Sequence, residues 1–336
     1  MDFNIIANRM VKIPKKYQLS LQFMVKLSIV IGAFYFIYQK IVVNDKLPYT
    51  VLIQSIKRHI LTNYFNLFLL ILFSFLNWFF DIIKWKSLVA TIQKISLKQA
   101  ASQSLAAHTA ALLTPNRIGE YGVKAMYFKK NLRKKVILLN LTHHFLQMTV
   151  TTIFGIIGLC YVLENNDINI PIFSIRKTSY FISIIFAFLL LGKIIIHKKI
   201  RNFYWLKIVN FIKNMPLKII GLSFLFSVIK YLIFVHQFIY LLHLFDVETT
   251  YSKTLFLLFA FYFIASIIPS LPIFDWLVKG SIAIMILELI SIDDAVIIVI
   301  TTIMWLLNFA LPAIIGGYSI LKYEKQDYIY KKIKND

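Results

Sequence analysis

A chain of 336 residues that is 59% hydrophobic is not an ordinary soluble domain, whose apolar share is about 45–50%. Its formal charge of +22 would suit a nucleic-acid binder, but the cations sit in short stretches beside apolar runs. There they fix orientation and meet anionic headgroups instead. Cys160 is the only cysteine, which excludes an internal disulfide and a cysteine-based metal site.

Apolar runs lie at 22–43, 62–83, 98–114, 136–162, 178–196, 218–245, 254–271, 280–291 and 295–321. A hydrocarbon core of about 30 Å takes about 20 apolar residues per helix. Membrane strands would instead alternate over about ten residues, a pattern this sequence lacks. The class is therefore an all-α, polytopic integral membrane protein. The first run is too long for a signal peptide and has no small-residue cleavage site, so it is expected to stay as a helix. Two runs are unusual. Residues 98–114 (KQAASQSLAAHTAALLT) are small and polar, a poor lipid-facing surface. Residues 280–291 are too few to cross alone.

Charge then orients the chain. With 98–135 read as a re-entrant hairpin and the N-terminus cytoplasmic, 26 cations fall inside and 7 outside, and Lys26, Arg117, Lys230 and Lys279 lie at membrane depth. A full crossing at 98–114 would put Lys129, Lys130, Arg133, Lys134 and Lys135 outside, against the bias. Near the other end, 254–291 forms either two short spans or a second hairpin entering from outside. Both versions leave the basic tail 322–336 in the cytoplasm. The expectation is one transmembrane domain over 1–336, with about six to eight spanning helices, one or two re-entrant hairpins and a hint of an inverted repeat. The basic segment 197–217 is amphipathic and is expected to lie on the leaflet surface. The expected location is a bacterial inner membrane, with both termini cytoplasmic.

Two polar breaks interrupt the apolar pattern. The first reads Thr114-Pro115-Asn116-Arg117-Ile118-Gly119-Glu120-Tyr121-Gly122. Pro115 ends the preceding helix, and Gly119 and Gly122 permit tight turns or close helix approach. Arg117 and Glu120 are three apart and share a helix face. Ionisable groups at this depth are a functional hypothesis by default, and a guanidinium fork suits a phosphate. The plain alternative is a structural pair closing a hairpin. The second break reads Pro269-Ser270-Leu271-Pro272-Ile273-Phe274-Asp275-Trp276-Leu277-Val278-Lys279-Gly280. Its two prolines stop a helix, and Asp275 and Lys279 pair at i,i+4 if helical. The plain alternative there is an interface loop. Candidate substrate-binding residues are Arg117, Glu120, Asn116, His108, Asp275 and Lys279. Pro115, Gly119, Gly122, Pro269 and Pro272 are the expected hinges.

Other polar residues have simpler expectations. His143 and His144, near Gln147, suit a proton relay, a headgroup contact or plain interhelical hydrogen bonds, the last being favoured. Adjacent histidines face different ways on a helix, so no zinc site is expected. His236 and His243 are expected to pack. Asp81 is read as an interfacial partner of Lys84. Lys230 and Glu288 are read as a buried pair or as snorkelling ends.

The run AAHTAALLTPNRIGEYGVKA resembles the lysylphosphatidylglycerol synthase transmembrane-region family, a flippase-like membrane domain. Pro115, Arg117, Gly119 and Glu120 match its Pro-x-Arg-x-Gly-Glu core, and the run pattern over about residues 20–325 fits. The family's second motif, proline with a glycine-rich turn and an acid, is matched in its prolines only. Lys279 stands near the expected acid. The resemblance implies lipid handling without the soluble aminoacyl-transferase domain of full-length synthases, for which this chain has no room.

The function expected is translocation or binding of a phospholipid or lipid-linked headgroup. The partners would be anionic membrane lipids and a separate lipid-modifying enzyme, with no nucleic acid and no cofactor or metal. A membrane enzyme acting on lipid-linked substrates is weaker, because no two of Asp81, Glu120, Asp275 and Glu288 are close in sequence. A scaffold in envelope synthesis is the third reading.

Overall fold

A computed structural model describes residues 62–114, 117–164, 210–211 and 213–321, with Met24, Ile31, Tyr35 and Lys57. The expected runs at 22–43 and 178–196, most of 197–217, the tail 322–336, Pro115 and Asn116 lie outside the described residues. Eight helices are described: α1 (Tyr64–Val89), α2 (Leu97–Leu113), α3 (Ile118–Met126), α4 (Arg133–Glu164), α5 (Leu217–Leu244), α6 (Tyr251–Ile267), α7 (Asp275–Leu287) and α8 (Asp294–Leu321). Short 3-10 turns at Pro272–Phe274 and Glu288–Ile290 flank α7, and α8 contains a π-helical turn at Leu306–Ala310. Every described element is helical.

Helices α1, α4, α5 and α8 are long and apolar enough to cross a membrane. The chain is a polytopic α-helical membrane protein. The starts of α1 and α8 follow from capping. The Asn63 side chain accepts from the backbone N–H groups of Phe65 and Asn66, and Asp293 accepts from that of Ala295. Ser96 and Gln99 form a reciprocal capping box at the start of α2.

The shorter helices make two helix–break–helix hairpins. Helices α2 and α6 have 17 residues each and α7 has 13. At about 1.5 Å per residue they reach roughly 20–26 Å, less than a hydrocarbon core of about 30 Å. Helix α6 ends at Ile267, earlier than the apolar run predicts. Ile268 is already extended ahead of Pro269, as a residue followed by proline prefers.

Packing explains the odd composition of α2. It lies against α1, α3 and the last part of α8, and Ala100, Gln103, Ser104, Ala106, Ala107 and Ala111 are all buried. Lipid tails give helices no hydrophobic reason to associate, so small side chains that admit close approach do that work. At Gly316 of α8 there is no room for a Cβ beside the Leu105 carbonyl of α2. The larger apolar core joins α4, α5, α6, α7 and α8, with α1 at its edge. A smaller one around Trp85, Leu88, Phe128, Val136 and Leu139 ties α1 and α4 to the segment after α3. Helix α2 also touches the turn Pro272–Phe274, so the two hairpins meet at their breaks.

Candidate functional site

The first break is built around Thr114, where α2 gives way to extended backbone. Its hydroxyl donates to the Ala110 carbonyl at 2.6 Å and accepts from the Gly119 N–H at 2.9 Å, closing the turn. Arg117, the residue before α3, has left-handed backbone at φ 56° and ψ 26°. For a non-glycine residue that conformation costs about 1–2 kcal/mol and persists only where the surroundings fix it. Gly119 fixes them: an added Cβ would lie 2.6 Å from the Ala110 carbonyl oxygen. Gly119 and Gly122 are both helical rather than turn residues. Gly122 faces open space and has no close approach to permit.

Glu120 is 4% exposed and stands behind Arg117. Its Oε1 accepts from Lys124 Nζ at 3.0 Å and meets His144 Nε2 at 2.9 Å, whereas Arg117 is a looser ion pair at 3.6 Å. Lys124 is buried as well. It also donates to Asn140 at 2.8 Å and lies 4.3 Å over the Trp85 ring. The Arg117 guanidinium lies 5.4 Å over the Phe309 ring of α8, a cation–π contact.

The second break keeps its charges local. Asp275 accepts from the Ser270 hydroxyl at 2.5 Å and from Lys279 at 2.6 Å, and both charged side chains remain partly exposed. Pro272 starts the 3-10 turn, and its carbonyl accepts from the Trp305 indole at 3.3 Å. Pro269 is an exposed residue between α6 and that turn.

A third cluster corrects two sequence readings. Asp81 is buried and its partner is Lys230 of α5, not Lys84. Its Oδ1 also meets His143 Nε2 at 3.2 Å, and its Oδ2 lies 4.0 Å from His108 Nε2. Lys84 points to α4 and α5, donating to the His143 carbonyl, Gln147 and Ser227. Glu288 does not pair with Lys230; it is exposed on the turn after α7. A cation at the end of an apolar run reads as interfacial, and tertiary burial overrides that at Lys84. His236 bonds the Tyr251 hydroxyl at 2.7 Å, and His243 is exposed rather than packed.

The two breaks open on one cavity of about 280 Å³. Arg117 comes from the first, Asp275 and Lys279 from the second, with His108 of α2 and Lys230 of α5 between them. Glu120 is behind this wall rather than on it, and Asn116 is outside the described residues. Phe234, Phe238, Phe261, Tyr262, Trp305 and Phe309 supply most of the apolar wall. Two amides of the lining, Asn77 and Asn308, continue into a buried chain: Asn77 donates to Asn308 at 2.7 Å, Asn308 to Gln237 at 2.8 Å, and Gln237 to Ser74 at 2.8 Å. The sequence reading missed Asn77 and Asn308, although each is an amide inside an apolar run, the one available signal. The cavity therefore offers cations on one part of its lining and aromatic surface on another, which suits an amphipathic anion.

The fold and cavity define a helical membrane protein whose interior joins buried ion pairs to an aromatic pocket. The chain matches the family described as the lysylphosphatidylglycerol synthase TM region over residues 23–316, and it belongs to that family. Family and apolar helices together make it a membrane protein of lipid metabolism or transport. No curated protein and no solved structure matches it.

Proposed function

We propose that this protein binds an anionic lipid headgroup in the cavity and lets it pass between leaflets while the acyl chains stay in lipid. One observation carries the reading: Arg117 of the first break and Lys279 of the second line the same cavity, with Lys230 beside them. Arg117 and Lys279 contact the phosphate in this scheme, His108 and Asp275 orient it, and Glu120 steadies Arg117 from behind. The protein sits in a bacterial inner membrane with cytoplasmic termini, as the cation bias suggests. A separate lipid-modifying enzyme supplies the headgroup.

The membrane-enzyme reading gains one observation, because His143 reaches Asp81 and His144 reaches Glu120. Acid–base chemistry needs such a group within reach of substrate. None of these four residues lines the cavity, and lysines already hold both carboxylates, so transport is the better reading.

Reconstitution with a fluorescent phosphatidylglycerol and measurement of leaflet exchange tests it. Wild-type protein should accelerate exchange and folded Arg117→Ala should lose most of that rate. Equal exchange by both refutes the assignment.

A further inference from the structure

The two adjacent histidines of α4 each bond a different buried carboxylate, and each carboxylate also faces a cation on the cavity wall. His144 meets Glu120, which faces Arg117; His143 meets Asp81, which pairs with Lys230. The His rings are 5.4 Å apart, so the two clusters touch. They differ in access. The His143 side chain is 3% exposed and its Nδ1 is buried without a hydrogen-bond partner, so a proton added there meets no acceptor. The His144 side chain is 30% exposed.

We propose that His144 is a proton-binding site linked to anion binding in the cavity. The inference rests on the headgroup reading above. Glu120 Oε1 already takes Lys124 and His144 at hydrogen-bond distance, while Oε2 has no hydrogen bond and sees Arg117 only at 3.6 Å. Protonation of His144 makes its bond to Glu120 charge-assisted and roughly twice as strong. The carboxylate is then balanced by Lys124 and the imidazolium, and the charge of Arg117 is left for an anion in the cavity. The reverse follows by linkage: an anion that draws Arg117 away leaves Glu120 to favour the protonated ring. The groups facing this pair share the outcome. They are Asp81 and Lys84 on α1, His108 on α2, Arg117, Tyr121 and Lys124 at α3, and Lys230 on α5. Lys84 and Lys124 are held by fixed hydrogen bonds, and His108 and Lys230 lean on Asp81, so Glu120 and Arg117 are the pair free to exchange. Proton uptake linked to headgroup binding lets a proton gradient bias the direction of movement.

The test is calorimetric titration of the full chain in detergent with dihexanoyl phosphatidylglycerol and, separately, inorganic phosphate. Each is run in two buffers of different ionisation enthalpy and at several pH values. Between the histidine's titration ranges in the free and in the lipid-bound protein, wild type should take up close to one proton per bound lipid anion, with affinity rising up to about tenfold per unit fall in pH. His144→Gln keeps a hydrogen bond to Glu120 and should bind with a flat pH profile. A site for free phosphate rather than a headgroup would show the same linkage with the inorganic probe alone, which overturns the lipid part. Wild-type binding without proton uptake overturns the linkage, and that measurement needs no variant to fold. Uptake that survives in His144→Gln overturns the residue assignment. No binding of either probe at any pH overturns the headgroup reading itself.

Discussion

The two breaks carry the same ingredients, a cation and an acid one helical turn apart beside a proline, yet the fold uses them differently. At the first, Glu120 is buried and reaches α4 through His144, while its partner Lys124 reaches Asn140 and the Trp85 ring. At the second, Asp275 bonds Ser270 and Lys279 within its own turn, and the two charged side chains are 26% and 35% exposed. The first is locked to α1 and α4 and presents only Arg117 to the cavity. The second presents both of its charges there. Similar local sequence thus yields an anchored acid behind the wall on one side and a partly exposed pair on the wall on the other, because burial decides how much each charge depends on its neighbours.

Removing the acid at each break tests that contrast most strongly. Glu120→Ala leaves Lys124 buried without its counter-charge, a loss of about 3–5 kcal/mol for breaking a buried pair. Asp275→Ala removes one member of a partly exposed pair and should cost under about 1 kcal/mol. Denaturant or thermal unfolding in detergent, followed by helical signal, compares them. Similar losses at both positions would break the comparison.

The glycines sharpen it at the next level. Gly119→Ala forces a Cβ to within 2.6 Å of a backbone oxygen that cannot rotate away, so overpacking of about 1–3 kcal/mol is expected. Gly122→Ala, one helical turn along on the same helix, enters open space at helical backbone angles. It should be neutral or stabilising by about 0.4–1 kcal/mol. The same unfolding assay reads both. A tolerated Gly119→Ala would mean that α2 and α3 can slide apart and that Arg117 is not held in its left-handed conformation.

What sequence made legible was local. Apolar run length marks the four long helices, small residues mark α2 as interior, and i,i+3 and i,i+4 spacing marks Arg117 with Glu120 and Asp275 with Lys279. That the two breaks share a cavity is a tertiary fact with no counterpart in spacing. Neither the pairing of Asp81 with Lys230 nor that of Asn77 with Asn308 is readable, since their separations of 149 and 231 residues bear no periodicity. Lys84 is misread for a related reason. A cation at the end of an apolar run looks interfacial until another helix covers it. The adjacent histidines were read as facing different ways, and they do. Each direction leads to a carboxylate on another helix, which one sequence does not display.

The smallest expected effect isolates what the first break has and the second lacks, an aromatic face under its cation. Arg117 lies 5.4 Å from the Phe309 ring centroid, and a cation–π contact at a partly exposed site is worth about 0.5–1 kcal/mol. A double-mutant cycle with Arg117→Met and Phe309→Leu, scored by unfolding free energy, should give a coupling of that size. The matching cycle with Lys279→Met should give none, because the partner of Lys279 is Asp275. Sites in contact normally couple by at least about 0.5 kcal/mol, so the two cycles are separable. Coupling of Lys279 to Phe309 would mean that both cations converge on one ring. The aromatic support would then not distinguish the first break from the second.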